Sequence, residues 1–549
     1  MERLHRWLDG LAVAVSAVLV GALVRVWAVR LTYPFDLEWM EGGILAHAWR
    51  ILHLQPVYAP PSPEFVAFVY PPAYPALLAA LGSVFGLSLP LGRAVSLLAL
   101  AAATAALVVG VRRTGARWPV ALGSAAAFLG TYPQSGAFYD LTRGDTLAIA
   151  LAGWSVVLAL GDGRRAPELA GLLLAAAIAC KHNLAIFGLP VVLGLLIRDP
   201  SSALRYSLTA ALPVLAGTAA LQWASGGAFL TYLFEVPLSH PVHWEQGLLD
   251  TVREWGVALP VLLPLGALAL VVAAARQLPP QRAWLVVIPV WAGIALGWWC
   301  TSGPAPGWTR LTFAAAWALA AGPIAVAVLA GVSLRAAVWG GTAISWRDLV
   351  VASLCAASGL AALYMRAHHG GYVNVHAPLF WAAALGGGVL LGRLTTPWLR
   401  LTATTALIAQ LAWSGSRLHP AQLMPTQADH DAGWRLVDQI RAVDGPVLSP
   451  FAAWLPVLAG QDPSVHAMAV WDCNYRGGPY HHDLAAIEQA LREHRWSVVL
   501  AGTQGFIPAL SKHYRRDSAL FAPTDRSLMP MTGWKARPEW VLVPRDPEW

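Results

Sequence analysis

The chain has 549 residues, of which 57% are hydrophobic and only 12% are charged. A soluble globular protein carries about twice that charged fraction, so the composition excludes a soluble enzyme and is typical of a polytopic membrane protein. The formal net charge of +7 comes from arginines that recur between apolar runs, which indicates membrane topology and not nucleic-acid binding.

The amino-terminal apolar run, residues 9–29, follows Arg3 and Arg6 and ends without a small-residue cleavage site. It therefore predicts a retained first span and not a signal peptide. The next segment, residues 30–91, is only partly apolar, with helical spacing from Ile44 onward. We predict one external loop that carries membrane-surface helices, because a second span there would invert the placement of every later basic loop.

Further apolar runs predict the remaining spans. They lie near residues 92–111, 118–132, 146–160, 168–180, 184–197, 205–223, 256–275, 283–300, 310–331, 348–366, 377–392 and 400–414. With this count every other loop is rich in arginine and faces the cytoplasm. The sequence therefore predicts an all-α polytopic membrane protein with about 13 transmembrane helices, a cytoplasmic amino terminus and a carboxyl-terminal region outside.

The composition changes after residue 414, where helical and extended patterns alternate. The helices are expected at Asp429–Ala442 and Asp483–His494, and the strands at Pro446–Ser449 and Trp496–Ala501. This alternation predicts a small extracytoplasmic α/β domain. The domain boundaries are thus 1–414 for the membrane domain and 415–549 for the carboxyl-terminal domain.

The first candidate site is the acidic loop that follows the first span and contains Asp36, Glu38 and Glu41. Ionisable groups at a membrane boundary are costly to desolvate, so a cluster of them indicates a functional site. A carboxylate there can accept a proton from a hydroxyl nucleophile. The alternative is that the acids complement the dipole of a helix that starts near Ile44.

A second motif, Tyr139–Asp145, lies on the same outer side just before a predicted span. Asp140 and Asp145 flank Arg143, which can bind phosphate or orient a carboxylate. The alternative is an ion pair that caps the following helix.

A third motif is Lys181-His182-Asn183, which interrupts an apolar run at the predicted outer face. A lysine at this depth needs a partner, and phosphate is a natural one. Snorkelling of the lysine is the alternative.

Two later outer loops contribute further candidates for contact with the phosphate or the acceptor. They are Arg310, Tyr372, Asn374 and His376. Ordinary loop chemistry explains these residues equally well.

Histidines outside the membrane do not form a recognisable metal site. None of the His and Cys residues has the ligand spacing of a zinc site. We therefore predict no metal ligands and no cofactor; a bound divalent metal is the alternative, which no ligand spacing supports.

These motifs together resemble GT-C-fold glycosyltransferases, the multi-span class that uses polyprenyl-phosphate sugars. The chain is most similar to the branch that contains Rgt-type, aminoarabinose-transferring and protein-O-mannosyltransferase enzymes. The matching segments are Glu41–Arg50, Phe68–Pro75 with Tyr70, Arg93 with Ser96, Arg143–Asp145 and Lys181–Asn183. The class often has an Asp-Glu pair where this chain has Glu41-Gly42, so Glu41, Glu38 and Asp36 all remain candidates for the base.

The resemblance implies an inverting glycosyl transfer at the outer face of the bacterial inner membrane, with the carboxyl-terminal domain in the periplasm. The implied partners are a polyprenyl-phosphate-linked sugar, the bilayer, and a lipid, glycan or protein acceptor. Lys181, Arg143, His182 and Arg310 would bind the donor phosphate, while Asp140 and Asp145 would orient the acceptor. The alternatives are a transporter or lipid flippase, whose polar groups usually lie at the membrane midplane, and a non-catalytic envelope-assembly protein.

Overall fold

The computed structural model describes residues 1–278, 281, 284–301, 310–339, 344–502, 507 and 509–545. The helices up to residue 416 are α1 (Glu2–Leu31), α2 (Glu41–Leu52), α3 (Ala73–Phe85), α4 (Leu89–Arg112), α5 (Trp118–Leu129), α6 (Asp145–Ala159), α7 (Ala166–Cys180), α8 (Gly188–Arg198), α9 (Pro200–Ala224), α10 (Ala228–Leu230), α11 (Val236–Leu238), α12 (Trp244–Ala258), α13 (Leu262–Gln277), α14 (Trp284–Thr301), α15 (Arg310–Trp339), α16 (Trp346–Ala367), α17 (Ala377–Arg393) and α18 (Pro397–Ser416).

The carboxyl-terminal region combines short helices with a small sheet. Its helices are α19 (Pro420–Leu423), α20 (Gln427–Arg441), α21 (Leu455–Leu458), α22 (Ala467–Cys473), α23 (Ala485–Arg492) and α24 (Leu510–His513). Its strands are β1 (Val447–Leu448), β2 (Val498–Ala501), β3 (Tyr514–Ala519) and β4 (Trp540–Pro544), in the order β1-β2-β4-β3. Only the β1–β2 pair is parallel, which gives a mixed sheet. The helices and strands predicted from the alternating pattern are present within two residues of their expected bounds.

Within the described residues, six helices are long and apolar enough to cross a membrane. These are α1, α4, α9, α16, the part of α15 from Thr312 to Ala336, and the segment Val373–Arg393 that contains α17. Shorter apolar helices lie between them, and helical backbone satisfies its own polar groups, as a lipid environment requires. The chain is therefore a multi-pass membrane protein, and the count of about 13 spans stays a prediction.

The span predicted at residues 256–275 is interrupted in the structure. Helix α12 ends at Ala258 and α13 begins at Leu262, and the two axes differ by 101°. Pro260 has no backbone N–H and disfavours helical geometry at Leu259, whose φ and ψ are −133° and 55°. The proline therefore converts one continuous apolar run into a bent pair of helices.

The segment 30–91 contains two helices, α2 and α3, as its sequence predicts. Helix α2 lies against the carboxyl-terminal region: a side chain at Gly43 would approach Phe68 to 2.4 Å and His466 to 3.0 Å. The His466 Nε2 atom contacts the Trp39 carbonyl oxygen at 2.8 Å, and the Thr532 backbone N–H donates to the Leu37 carbonyl at 3.1 Å. The region after residue 416 thus packs directly on the acidic loop.

A buried ion pair joins the end of α1 to the loop before α6. Arg30 Nε lies 2.6 Å from Asp140 Oδ2, and the Tyr132 hydroxyl donates to Asp140 Oδ1 at 2.7 Å. Neither charged side chain is more than 1% exposed. A buried charge is tolerated only when it is paired in this way, so the pair fixes the loop that carries Arg143.

We expect Asp140→Asn to lower stability by about 3–5 kcal/mol, because it leaves the Arg30 guanidinium buried without a counter-ion. Thermal unfolding of the purified protein in detergent measures this as a fall in Tm. The control is Asp162→Asn, whose side chain is 77% exposed beside Arg198 and Arg347 and should change stability by less than about 1 kcal/mol. Equal Tm values for the two variants would contradict the structural role of Asp140.

Candidate active site

A cavity of about 440 Å³ lies where the acidic loop, the loop before α6, the end of α7 and the carboxyl-terminal region meet. Seven of the residues selected from the sequence line it: Glu38, Tyr70, Arg143, Lys181, His182, Tyr372 and Asn374. They come from five separate segments of the chain, and the fold brings them to one place.

Arg143 is the central cation of this cavity. Its Nη1 lies 3.1 Å from Glu38 Oε2, and its Nε lies 3.4 Å from Asp145 Oδ2. A third nitrogen, Nη2, donates to the Tyr70 hydroxyl at 3.4 Å. The guanidinium is therefore shared between two carboxylates on different loops, and the long Asp145 and Tyr70 contacts leave room for a stronger anionic ligand.

Lys181 is the second cation, and its position follows from the path of the chain. Helices α6 and α7 are neighbours joined by a short loop, so the start of α6 and the end of α7 lie at the same face. Asp145 is the first residue of α6, and Lys181 follows the last residue of α7 in an extended conformation. The two side chains form an ion pair, and Asn374 Nδ2 donates to the same Asp145 oxygen at 2.9 Å.

Glu38 is a buried carboxyl group with an unusual acidity. Its side chain is 2% exposed. Burial raises its pKa to about 7, against the opposing effect of the Arg143 guanidinium, and the nearby Glu41 carboxylate adds to the rise. A carboxyl group with a pKa near neutrality can both accept and return a proton.

Glu41 has a different environment, and it does not line the cavity. Arg93 binds both of its oxygens, with Nη2–Oε2 at 2.7 Å and Nε–Oε1 at 3.0 Å. The backbone N–H groups of Leu37 and Thr142 each donate to it at 2.7 Å. Burial opposes ionisation, but Arg93 and these hydrogen bonds outweigh it, so the pKa of Glu41 is below its ordinary value.

The remaining predicted site residues lie away from the cavity. Asp36 accepts a hydrogen bond from the Gly42 N–H at 2.7 Å and faces a separate small cleft toward the carboxyl-terminal region. Asp140 pairs with Arg30, as described above. His376 Nε2 lies 2.6 Å from a carboxylate oxygen of Glu254, and its Nδ1 accepts from the Trp255 indole N–H. Arg310 begins α15, but its side chain lies outside the described residues.

Sequence reasoning missed the wall of the cavity that the carboxyl-terminal region supplies. Met468, Trp471, Asp472 and Trp534 lie there. No local pattern relates these positions to a loop more than 400 residues earlier, so only the assembled fold reveals them. Arg30 was also missed, although a charge at the end of an apolar run is a recognised signal for a functional or structural ion pair.

Three histidines also line the cavity: His240, His368 and His369. The part of the chain that the structure describes contains no group of three or more His, Cys, Asp or Glu side chains arranged to hold a metal ion.

No family model and no curated protein sequence matches this chain. Among solved structures, the chain is similar to ArnT from Cupriavidus metallidurans bound to undecaprenyl phosphate, with 13% identity, a TM-score of 0.49, and coverage of 96% of this chain and 97% of that chain. It is also similar to the same ArnT in the apo state, with the same identity and coverage and a TM-score of 0.44. At this identity and these TM-scores the two similarities assign the chain no class and no residue a role.

We expect Glu41→Gln to lower stability by about 3–5 kcal/mol, because it leaves Arg93 buried without its counter-ion. The measurement is Tm in detergent. The pKa of Glu41 in the folded protein is below its ordinary value. The contribution of Glu41 to stability is therefore complete at any pH above the ordinary pKa, and it is lost only as the pH falls through the pKa of the folded state. The difference from wild type should therefore be constant between about pH 6 and 8.

Glu38→Gln provides the comparison, because Arg143 retains Asp145 as a partner. We expect it to reduce Tm less than Glu41→Gln does. If the order were reversed, Glu41 would not be the residue that anchors the acidic loop.

Proposed function

We propose that this protein is a membrane glycosyltransferase that moves a sugar from a polyprenyl-phosphate donor to an acceptor hydroxyl. The observation that carries the proposal is the joint placement of a near-neutral carboxyl, Glu38, and two cations, Arg143 and Lys181, around one cavity. Such a transfer needs a base for the hydroxyl and positive charge for the departing phosphate. Undecaprenyl phosphate, named for one ArnT structure, is a lipid carrier of the kind that the proposed transfer would release.

The two cations would bind the donor phosphate. Arg143 presents several N–H groups in a planar fork, which suits phosphate oxygens, and Lys181 adds a point charge. Asp145 pairs with both cations, and Asn374 donates to Asp145. An incoming phosphate would take the Arg143 N–H groups that contact Asp145 and Tyr70 at 3.4 Å. Arg143 can then stay beside Glu38 and keep its carboxylate ionised.

Glu38 would then take the proton of the acceptor hydroxyl. The hydroxyl oxygen forms a bond to the anomeric carbon as the bond from that carbon to the phosphate oxygen breaks. The proton remains on Glu38, and the electron pair leaves with the polyprenyl phosphate, whose charge Arg143 and Lys181 stabilise. Attack opposite to the leaving group inverts the anomeric centre.

The other predicted residues receive supporting roles or none. Glu41 and Asp140 would be positioning residues that keep the acidic loop and the Arg143 loop in place. Tyr70, His182 and Tyr372 would contact substrate as part of the cavity wall. Asp36 and His376 have environments outside the cavity, so no substrate contact is proposed for them, and Arg310 is assigned no role.

The membrane placement is part of the same proposal. The basic alternate loops favour a cytoplasmic amino terminus and a cavity at the outer face of a bacterial inner membrane. The division at residues 414 and 415 then separates a transmembrane catalytic domain from a periplasmic domain. The acceptor would be an envelope lipid, glycan or protein.

The first prediction concerns the base. We expect Glu38→Gln to reduce transfer of radiolabelled sugar from polyprenyl-phosphate donors by at least about 100-fold, because positioned acid–base catalysis contributes that much. The assay uses membranes with matched expression of wild type, Glu38→Gln, Asp36→Asn and the control Glu235→Gln, whose side chain is exposed. Only Glu38→Gln should lose transfer.

The pH dependence of the wild type provides an independent check. Glu38 must be ionised to accept a proton, and its pKa is about 7, so transfer should rise with pH through neutrality. At one pH unit below the pKa only about one tenth of the carboxyl is ionised. If the wild type transferred sugar from no donor, or if Glu38→Gln retained full activity, this mechanism would be wrong.

The second prediction concerns the donor phosphate. We expect Lys181→Met to weaken binding of undecaprenyl phosphate by about 10-fold or more, since a charge-assisted hydrogen bond contributes about 1.5–3 kcal/mol. Binding of the labelled lipid to purified protein in detergent measures this directly. Lys512→Met is the matched control, because its side chain is 69% exposed and lies in the carboxyl-terminal region. Equal affinities for the two variants would remove Lys181 from the phosphate site.

A further inference from the structure

The carboxyl-terminal region supplies one acidic side chain, Asp472, to the wall of the cavity that contains Glu38 and Lys181. Asp472 is 4% exposed. It lies on α22, far along the chain from the motifs that define the candidate site. No role follows for it from the transfer mechanism described above.

The backbone around Asp472 is fixed from both sides. At the start of α22, His466 Nδ1 accepts from the Met468 N–H at 3.0 Å while its other ring nitrogen contacts the Trp39 carbonyl. Near the end of α22, the Asp472 carbonyl oxygen lies 2.8 Å from His240 Nε2. The helix is thus anchored to the acidic loop and to the segment after α11, and its side chains have a defined position in the cavity.

The carboxyl group of Asp472 has no partner within the described part of the chain. The two cations of the cavity form ion pairs with other carboxylates. Arg143 pairs with Glu38 and Asp145, and Lys181 pairs with Asp145. Asp472 itself lines the cavity, and its carboxyl oxygens are not fully enclosed. Buried polar groups normally have hydrogen-bond partners, and this one is available to a ligand.

The surroundings of Asp472 favour its neutral form. The titratable groups that face or adjoin it are Tyr70, Cys473, Tyr475, His240, His368 and His369. Burial raises the pKa of Asp472 to about 8. A neutral carboxyl group offers one O–H donor and an acceptor oxygen, and it adds no negative charge that would repel a phosphate.

We propose that Asp472 is a substrate-binding residue whose carboxyl group exchanges hydrogen bonds with a hydroxyl of the carbohydrate part of the substrate. This inference rests on the proposed function and extends it, because it makes the carboxyl-terminal region part of the active site. Trp471, beside Asp472, adds an aromatic ring to the same wall and lies 4.4 Å from the His369 ring centroid. Paired donor–acceptor groups next to aromatic rings suit the alternating polar edges and apolar faces of a sugar.

The kinetic test compares Asp472→Asn with Asp472→Leu. The amide keeps a donor and an acceptor, whereas leucine removes both, so we expect the leucine variant to lose about 10-fold or more in kcat/KM and the amide to retain most of it. A rise in the donor KM would place the bound hydroxyl on the donor sugar. A loss of kcat at saturating donor, with unchanged donor KM, would place it on the acceptor.

Asp483→Asn is the matched control, since Asp483 lies in the same region but is exposed. It should behave as the wild type does. If Asp472→Leu kept wild-type kcat and donor KM, the inference would be overturned.

A second measurement separates this inference from the proposed function. Dicyclohexylcarbodiimide modifies neutral carboxyl groups in apolar surroundings, and peptide mass spectrometry locates the adduct. At pH 7 we expect labelling of Asp472 but not of Asp145, which is ion-paired with Lys181. Undecaprenyl phosphate that carries a hexose should protect Asp472 if the hydroxyl is on the donor, whereas sugar-free undecaprenyl phosphate should not.

The outcomes distinguish the two claims. Sugar-dependent protection without any turnover would refute the proposed transfer and still support carbohydrate binding at Asp472. Absence of labelling at pH 7 would overturn the inference, because it would show that Asp472 is ionised or closed off from the cavity. A third outcome is that the wild type transfers sugar, the sugar-bearing lipid does not protect Asp472, and Asp472→Leu has no kinetic effect. That outcome would support the transfer and refute the role of Asp472.

Discussion

The ion pair between Arg93 and Glu41 determines how α1, the acidic loop and α4 are arranged relative to one another. Besides binding Glu41, the guanidinium donates to the carbonyl oxygens of Arg30, Tyr33 and Phe35. One side chain from α4 therefore holds the end of α1, the acidic loop and the start of α2 together. Both charged groups are fully buried. Removal of either partner would therefore leave an unpaired buried charge and lower the free energy of unfolding considerably.

This constraint separates two neighbouring acids that look alike in the sequence. Glu41 has a counter-ion and three backbone donors, so it stays ionised and serves as an anchor. Glu38 lies three residues before Glu41 in the same turn. It faces the cavity and shares Arg143 with Asp145. Burial raises the pKa of Glu38, and Arg143 beside it can bind a further anion. The difference between anchor and proposed base is thus one of environment and not of residue type.

The carboxyl-terminal region is integrated with the membrane-spanning part and is not simply appended to it. His466 and Thr532 contact the backbone of the acidic loop, and Trp471 and Asp472 complete the cavity wall. The cavity consequently has a charged side, with Arg143 and Lys181, and a side where Asp472, whose pKa is raised by burial, lies next to Trp471. Such a division suits a ligand with an anionic part and a carbohydrate part.

The sequence by itself determined the apolar helices, the alternation of helix and strand after residue 414, and the general place of the charged motifs, because these depend on local periodicity and composition. Only the tertiary structure decided which acid faces the cavity. Glu41 meets Arg93 across 52 residues and Lys181 meets Asp145 across 36, and no local pattern encodes such pairings. The contribution of Asp472 depends on contacts over even longer separations, and its acidity depends on burial that exists only in the assembled fold.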